Sequence, residues 1–257
     1  MSDTFVIKVK FGGLGDHLFY SHLPRIAKES AGFRRVLISN QSEYRHPDYR
    51  RLIWEANPFV DGFCDDDAPY PQSPFVPKGM NLLDFIMLRR GLDDRKRFHE
   101  PEVYFKPEKI TALAGATVYD PNFVSDVGRL ESSHIERYFA RKKIHPDFML
   151  KPRGRGLPVR EFGALLETKD LEHYCSVIVS AGRFICLTSG GATLAAALGR
   201  PAICLYGTGQ LEMFHHSCAH RYLNLNPPPL HQAALSLVFR LGRAVRRRLP
   251  GHGGREI

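Results

Sequence analysis

Short apolar runs and helical patterns alternate along most of the chain. The clearest case is an apolar run at 184–187, followed by small residues at 188–191, an Ala- and Leu-rich stretch at 193–198 and a second apolar run at 202–205. A short apolar run bounded by turn residues is typical of a strand that is buried on both faces, and alanine and leucine favour helices. The pattern therefore predicts a strand, loop, helix and strand that belong to a parallel sheet.

The same order begins at two other places. An apolar strand at 5–11 precedes a glycine loop and a helical pattern that starts at Leu18, and another apolar strand at 116–119 opens the second half. Two such starts predict an α/β fold of two Rossmann-like domains, 1–115 and 116–229, with parallel sheets that face a central cleft. Helices are also expected at 48–56, 81–90, 171–179 and from Ser133 through Phe139, and a loop or weak strand at 143–163.

The loop at 188–191 has the features of an anion-binding site. Thr188 and Ser189 are small and polar, and Gly190 and Gly191 have no Cβ, so a ligand can approach the backbone closely. The helix that follows begins with unpaired N–H groups, which point at the carboxyl edge of the predicted sheet. These residues are therefore predicted to bind an anionic ligand.

The first glycine loop predicts a different ligand. Gly12, Gly13 and Gly15 follow the first strand, but Leu18 stands where a dinucleotide-binding fingerprint has its third glycine. Asp16 places a carboxylate at the mouth of this loop, where it would repel a phosphate. The loop is therefore expected to meet a hydroxyl group. Two alternatives remain open from the residues alone, namely a tight turn without a ligand and a helix cap by Asp16.

The chain is basic, and its charge is concentrated at one end. The formal net charge is +9, and residues 230–257 contain six arginines against one glutamate. An anionic partner is therefore expected. The pattern at 230–249 predicts a basic amphipathic helix, which favours contact with an anionic membrane surface; a closing helix with solvated arginines is the alternative. Aromatic residues do not interleave with these arginines as in single-strand platforms, so no nucleic acid partner is expected.

Cysteine usage and hydropathy indicate a reducing compartment. The five cysteines are odd in number, and Cys186 and Cys204 lie inside predicted apolar strands, which favours buried thiols over a disulfide scaffold. The sequence has no apolar run of about 18 residues and no signal-peptide pattern at its start. We therefore expect a cytoplasmic protein that contacts the inner membrane peripherally through its basic tail.

Two clusters of potential metal ligands have spacings that match no common site. Three histidines and a cysteine lie within 215–220, and three consecutive aspartates occupy 65–67. The first cluster lacks the two separated pairs of a structural zinc site, and the second is typical of a solvated charge run. No metal and no other cofactor are therefore expected.

Three stretches resemble the heptosyltransferase-like glycosyltransferases of family 9, which have the GT-B fold. Residues 12–16 together with Pro24 resemble the family's N-terminal strand, loop and helix. Residues 171–187 are similar to the helix and strand that precede its donor motif. Residues 188–199 resemble the donor motif itself, Asp-(Ser/Thr)-Gly-x-x-His-Leu-x-Ala-Ala-x-Gly.

This resemblance implies an inverting, metal-independent transfer of a heptose-like sugar from a nucleotide-sugar donor to a glycan or lipopolysaccharide-core acceptor. It also implies that the acceptor binds the N-terminal domain and the donor the C-terminal one. Thr188 and Thr193 stand at the motif's Asp and His positions, which leaves the identity of the donor open. A fucosyl-type GT-B enzyme and a non-catalytic member that binds a glycan or a nucleotide are the alternatives.

The resemblance further assigns roles to individual residues. Asp16 falls on the family's general base, a role that suits a carboxylate within reach of a hydroxyl. Gly12, Gly13, Gly15 and His17 fall on the acceptor loop. The residues expected to contact the donor are Asn122, Arg129, Thr188, Ser189, Gly190, Gly191, Thr193 and Gly207.

Overall fold

Two separate parallel sheets organise the chain. The computed structural model describes residues 3–69, 76–124 and 126–227. The first sheet has the strand order β1-β2-β3, and the second has the order β6-β5-β4-β7-β8-β9. The strands are β1 (Thr4–Ile7), β2 (Arg35–Ser39), β3 (Gly62–Cys64), β4 (Thr117–Asp120), β5 (Phe148–Leu150), β6 (Ala164–Leu166), β7 (Arg183–Leu187), β8 (Ala202–Tyr206) and β9 (Arg221–Asn224).

Helices connect most of the successive parallel strands. Those in the described ranges are α1 (Leu14–Tyr20), α2 (Leu23–Glu29), α3 (Pro47–Tyr49), α4 (Leu82–Arg89), α5 (Ser132–Lys142), α6 (Leu171–Ser180) and α7 (Gly190–Ala197). In the second sheet, α5, α6 and α7 are the crossovers of a doubly wound arrangement, in which ligands bind at the carboxyl ends of the strands.

Strand β7 confirms the prediction that the run at 184–187 is buried on both faces. Phe184 and Cys186 belong to the larger core cluster, whereas Ile185 and Leu187 belong to a second cluster. All four side chains are at most 3% exposed. Successive side chains of a strand point to opposite faces, so one short run contributes to both layers. Each such side chain stabilises the fold by about 1.5–3 kcal/mol relative to exposure.

Two helices differ from the predicted elements. The predicted helix at 48–56 is the short helix α3 followed by a π-helix, Arg50–Glu55. Helix α5 has Glu131, not Ser133, as its N-cap. The segment at 143–163 agrees with the predicted loop or weak strand, since it contains the three-residue strand β5, which pairs in parallel with β4 and β6.

A buried charged cluster ties the segment after α4 to that helix. His99 Nδ1 lies 2.7 Å from Asp84 Oδ1, and His99 Nε2 lies 3.2 Å from Asp94 Oδ2. Burial by itself would lower the pKa of His99, but the hydrogen bonds to the two carboxylates raise it above its ordinary value. The neighbouring His22 is fully buried, and its pKa falls to about 3, so it is neutral. The cluster therefore holds the His99 imidazole between two carboxylates, which favour its protonated form.

The two halves of the molecule approach each other at a pair of glycines. Gly15, in the first turn of α1, lies against Gly190, at the start of α7. A Cβ added to Gly190 would lie 3.4 Å from the Gly15 backbone nitrogen and 3.4 Å from Leu14 Cβ. The small size of these residues therefore allows the first turns of α1 and α7 to pack backbone against backbone.

Side chains also join the halves. Leu171 N–H donates to Asp48 Oδ2 at 3.2 Å, and Arg51 forms an ion pair with Glu172 at 3.3 Å. Both contacts connect α3 and the π-helix with the start of α6. The Arg51–Glu172 pair is exposed and the bond to Asp48 is part-buried, and both contacts involve charged side chains, in contrast to the backbone contact between α1 and α7.

The architecture confirms the predicted fold class of two parallel sheets that face a cleft. The predicted boundary near Gly115 falls between β3 and β4 and stays a prediction. The helix predicted at 230–249 lies outside the described residues. None of the helices in the described ranges is long and apolar enough to cross a membrane.

Candidate functional site

A cavity of about 650 Å³ lies between the two halves. Its walls are the loops that follow most of the parallel strands, together with the first turns of α1, α6 and α7. The volume is within the range of roughly 300–1,000 Å³ that is typical of small-molecule sites. The residues predicted for the site that line this cavity are Gly13, Gly15, Asp16, Asn122, Thr188, Ser189, Gly190, Gly191 and Thr193.

Asp16 is a half-buried carboxylate on the wall that α1 forms. It is the third residue of the helix, after the N-cap Gly13, and the Gly13 N–H donates to Asp16 Oδ2 at 3.1 Å. Burial raises the pKa of Asp16, and the bond from Gly13 and the charge of Arg45 offset part of that rise. One carboxylate oxygen therefore fixes the side chain, which leaves the other oxygen for a ligand hydroxyl.

The loop before α7 presents backbone groups and one hydroxyl to the cavity. Ser189 is the N-cap, and its buried hydroxyl has no hydrogen-bond partner among the described residues. The side-chain amide of Gln210 donates to Thr188 Oγ1, and Thr193 Oγ1 donates to the carbonyl of Ser189 at 3.3 Å. The two threonine hydroxyls therefore already have partners within the protein. The groups left for an anion are the Ser189 hydroxyl and the first N–H groups of α7.

The cavity also contains Asp120, a carboxylate that was not among the predicted site residues. Asp120 ends β4 and is 2% exposed. It accepts hydrogen bonds from the hydroxyl of Tyr174 and from Asn122, whose backbone N–H lies 2.9 Å and whose Nδ2 lies 2.8 Å from Asp120 Oδ1. Burial raises the pKa of Asp120, against the effect of these bonds. Asn122, a predicted donor contact, is thus also a support for this carboxylate.

Basic side chains from both halves line the same cavity. Arg153 follows β5, and its Nη2 donates to Thr168 Oγ1 at 2.8 Å, while its backbone N–H donates to Asn122 Oδ1 at 2.6 Å. Its charge acts both on Asp120 in the second half and on Tyr49 in the first. Arg45 lines the wall next to Asp16. The cavity therefore combines carboxylates with cations, as a site for a polar, anionic ligand requires.

His216 is a second residue of the cavity lining that was not among the predicted site residues. It is 2% exposed, and its Nδ1 lies 2.7 Å from the carbonyl of Phe214, so Nδ1 carries the proton. Burial lowers its pKa to about 4, which makes the ring neutral. Its ring packs edge-on against Phe19 at 5.6 Å, across the two halves. Within the described ranges, no group of three or more His, Cys, Asp or Glu residues is arranged to hold a metal ion.

His17, expected in the acceptor loop, is outside the cavity lining. The imidazole is fully buried; its Nε2 lies 2.8 Å from the carbonyl of Glu43, and its Nδ1 accepts a bond from Trp54 Nε1 at 3.0 Å. Burial lowers its pKa to about 4. His17 lies in helix α1, and its side chain points into the core. There its two hydrogen bonds join α1 to Glu43 and Trp54.

Three other predicted residues also lie outside the cavity lining. Arg129 is exposed, and its backbone N–H donates to Thr208 at 2.9 Å. Gly207 packs against it so closely that a Cβ would lie 2.6 Å from the Arg129 carbonyl carbon. Gly12 packs against the backbone of Arg45, with a Cβ position 3.0 Å from its nitrogen. Gly207 and Gly12 therefore serve close loop packing, and Arg153 is the arginine of the second half that lines the cavity.

Comparison with known proteins gives a fold but no close sequence relative. No protein-family model matches the chain, and no curated protein matches it either. Several solved structures are similar over most of this chain, and three heptosyltransferases are among them. Their sequence identities of 12–15% are far below the level at which function could be carried over.

The dodecameric, iron-containing heptosyltransferase TibC, solved with ADP-D-β-D-heptose, has a TM-score of 0.59 and 15% identity; the match covers 86% of this chain and 62% of TibC. The E. coli ADP-heptose LPS heptosyltransferase II has a TM-score of 0.58 and 14% identity over 94% of this chain and 100% of that one. The E. coli heptosyltransferase WaaC with ADP has a TM-score of 0.52 and 12% identity; the match covers 93% of this chain and 99% of WaaC. The chain thus spans less than two thirds of TibC but the full length of the two E. coli enzymes, and it has the GT-B-like fold of the heptosyltransferases.

Proposed function

We propose that the chain is an inverting glycosyltransferase that moves a heptose-like sugar from a nucleotide-sugar to a glycan or lipid-linked acceptor. The observation that carries the proposal is the placement of Asp16. It is a half-buried carboxylate in the cavity between two parallel sheets, adjacent to the start of α7. The fold supports the same class, since the similar structures include heptosyltransferases solved with ADP and with ADP-heptose.

In this proposal the donor binds the second half. Its diphosphate meets the first N–H groups of α7, which have no partner within the helix, and the Ser189 hydroxyl, which lacks a partner among the described residues. Arg153 contacts the donor phosphates in place of Arg129, for which this contact was predicted, because Arg153 lines the cavity. These groups receive the charge that develops on the leaving diphosphate, so the proposed transfer does not call on a metal ion.

In this proposal the acceptor binds with its reacting hydroxyl next to Asp16. The hydroxyl loses its proton as its oxygen attacks the anomeric carbon, and the free oxygen of Asp16 accepts that proton. A positioned base of this kind contributes typically about 10²–10⁴-fold to the rate. Because α1 and α7 are already in contact at Gly15 and Gly190, the base and the phosphate-binding helix start lie in one cavity.

The test is the Asp16→Asn variant, assayed for ADP release from ADP-heptose in the presence of candidate glycan acceptors. Asn keeps an oxygen for the Gly13 N–H but has no basic oxygen, so we expect near-normal thermal stability and ADP affinity with at least about a hundredfold loss of turnover. The matched control is Asp170→Asn, an exposed cavity-rim carboxylate that caps α6. Asn caps about as well as Asp, and this variant should keep its turnover.

Two results contradict the proposal. Retained turnover in Asp16→Asn would reduce Asp16 to a support of the helix start. A wild-type protein that binds neither ADP nor any nucleotide-sugar, measured by thermal stabilisation, would remove the glycosyltransferase assignment altogether.

A further inference from the structure

Asp120 lies at the point in the second sheet where ligands of doubly wound folds bind. It is the last residue of β4, which pairs with β7 on one side and β5 on the other. The crossovers from β4 and from β7 leave in opposite directions along the sheet, so this is the topological switch point. Asp120 lines the cavity there and is almost fully buried.

The carboxylate is also next to the first turn of α7. A Cβ built on Gly191 would lie 2.8 Å from Asp120 Oδ2. A diphosphate bound to the first N–H groups of α7 would therefore lie close to this carboxylate. Two like charges at such a distance, in a site removed from water, disfavour each other and drive one group to bind a proton.

The groups around Asp120 stabilise it by hydrogen bonds, without a contacting cation. Tyr174 from α6 donates its hydroxyl, and Asn122 donates twice from the loop after β4. The charge of Arg153, after β5, acts on Asp120, but the hydrogen bonds found for the Arg153 side chain go to Thr168.

The remaining titratable neighbours are neutral. Burial raises the pKa values of Tyr174, of Tyr119 on the same strand and of Cys186 on β7 well above their ordinary values. None of these groups supplies a positive charge that would keep Asp120 ionised next to a diphosphate.

We propose that Asp120 takes up one proton from solution when the donor diphosphate binds, and that the resulting carboxylic acid donates a hydrogen bond to a phosphate oxygen. This inference rests on the proposed function. The only bond that forms is the O–H bond of the acid, and the proton comes from the solvent. Burial already raises the pKa of Asp120 in the free protein, which lowers the cost of that uptake. Asp120 is then a binding residue for the donor, distinct from the base Asp16.

A pH dependence of donor affinity follows from proton uptake. Between the pKa of Asp120 in the free protein and its higher pKa in the complex, the affinity for ADP falls by up to about tenfold per pH unit, because a proton must be bound with the ligand. The Asp120→Asn variant imitates the protonated acid, since its Nδ2 donates where the acid O–H would. This variant should lose that part of the pH dependence and bind ADP more tightly than the wild type at alkaline pH.

The experiment is calorimetric titration of the full chain with ADP in two buffers of different ionisation enthalpy, which counts the protons taken up. The terminal phosphate of ADP also titrates near neutral pH, and a charged Asp120 would raise its pKa. The titration is therefore repeated with ADP-heptose, in which both phosphates are diesters without a proton that titrates near neutral pH. A difference between proteins that persists with ADP-heptose reports on the side chain. We expect up to about one more proton taken up by the wild type than by Asp120→Asn. Asp170→Asn, the exposed carboxylate of the same cavity, should take up as many protons as the wild type.

Tyr174→Phe is a second variant in case Asp120→Asn does not fold. Removing the Tyr174 hydroxyl removes a bond that favours the carboxylate, so the free protein holds the proton at a higher pH. Its proton uptake at neutral pH should fall and its ADP affinity at alkaline pH should rise. Equal uptake in the wild type and in Asp120→Asn, with ADP bound by both, overturns this inference and leaves the proposed function intact. Absence of ADP binding in every protein overturns both, and ADP binding by Asp120→Asn alone shows that the carboxylate excludes anions without taking up a proton.

Discussion

The contact between Gly191 and Tyr174 leads to a sharp prediction about stability. A Cβ built on Gly191 lies 2.3 Å from the Tyr174 hydroxyl oxygen and 2.8 Å from Asp120 Oδ2. Carbon and oxygen atoms in favourable contact are about 3.3–3.6 Å apart, so Gly191→Ala brings an overlap of about 1 Å with the hydroxyl. Overpacking of a buried site of this kind costs about 1–3 kcal/mol, and we expect Gly191→Ala to lose that much stability.

The Tyr174→Phe substitution supplies the other half of a double-mutant cycle. On its own, Tyr174→Phe removes a hydrogen bond to a carboxylate, which costs about 1.5–3 kcal/mol. In the Gly191→Ala background, the same substitution also removes the oxygen that clashes with the new Cβ. The double variant should therefore be more stable than the sum of the single changes predicts, with a coupling energy of about 1 kcal/mol or more.

Urea unfolding, followed by far-UV circular dichroism, measures the free energy of unfolding of the wild type, the two single variants and the double variant. An altered midpoint with an unchanged slope reports a change in stability and not in the extent of unfolding. Gly190→Ala is the matched control, because its Cβ would meet the Gly15 nitrogen and Leu14 Cβ at 3.4 Å, which is close to ordinary contact. It should cost less than Gly191→Ala. Additivity of the two single changes within about 0.5 kcal/mol would refute the reasoning.

The remaining predictions concern two buried histidines and the basic tail. Because the pKa of His99 is raised in the folded protein, its stabilising contribution is complete below about pH 6.5 and is lost as the pH rises through the folded value; His99→Gln should flatten that fall in the free energy of unfolding, and an unchanged slope would contradict the assignment. His17→Leu should destabilise the protein by about 1–3 kcal/mol by leaving the Trp54 N–H unpaired, while ADP affinity measured by calorimetry stays at the wild-type value. Replacing Arg246–Arg248 with glutamine should reduce co-sedimentation with anionic liposomes, at about 1 kcal/mol per arginine near the surface; equal binding of the wild type to neutral and anionic vesicles would leave the tail without a membrane role.

The sequence predicts β7, the loop after it and α7 in the second half of the fold, because the hydrophobic pattern of these elements lies within one continuous stretch. The apolar run of β7, the small residues 188–191 and the Ala-rich helix α7 follow each other directly, so one stretch of chain contains strand, loop and helix start. Asp16 was readable for the same reason, since a carboxylate in a glycine loop before a helix is unusual in a phosphate site. Residues 188–191 and Asp16 line the cavity.

The other cavity residues depend on contacts between distant parts of the chain. Tyr174 lies in an apolar helical stripe, where a tyrosine looks like a core residue, and its role becomes apparent only next to Asp120. The position of Asp120 at a strand end was visible, and the switch-point rule could have singled it out if the strand order had been known. His17 and Arg129 were predicted for the site but lie outside the cavity lining. Their proximity in sequence to a loop of the site does not determine which way their side chains point.

The contacts that join the halves differ in their response to salt. Gly15 and Gly190 meet as uncharged backbone, whereas Arg51 and Glu172 meet as exposed charges. Exposed ion pairs weaken as the Debye length shrinks from about 10 Å at 0.1 M to about 3 Å at 1 M salt. Raising the ionic strength should therefore weaken the Arg51–Glu172 contact on the α3–α6 side of the cavity and leave the Gly15–Gly190 contact on the α1–α7 side unchanged, so the two sides should differ in their response to salt.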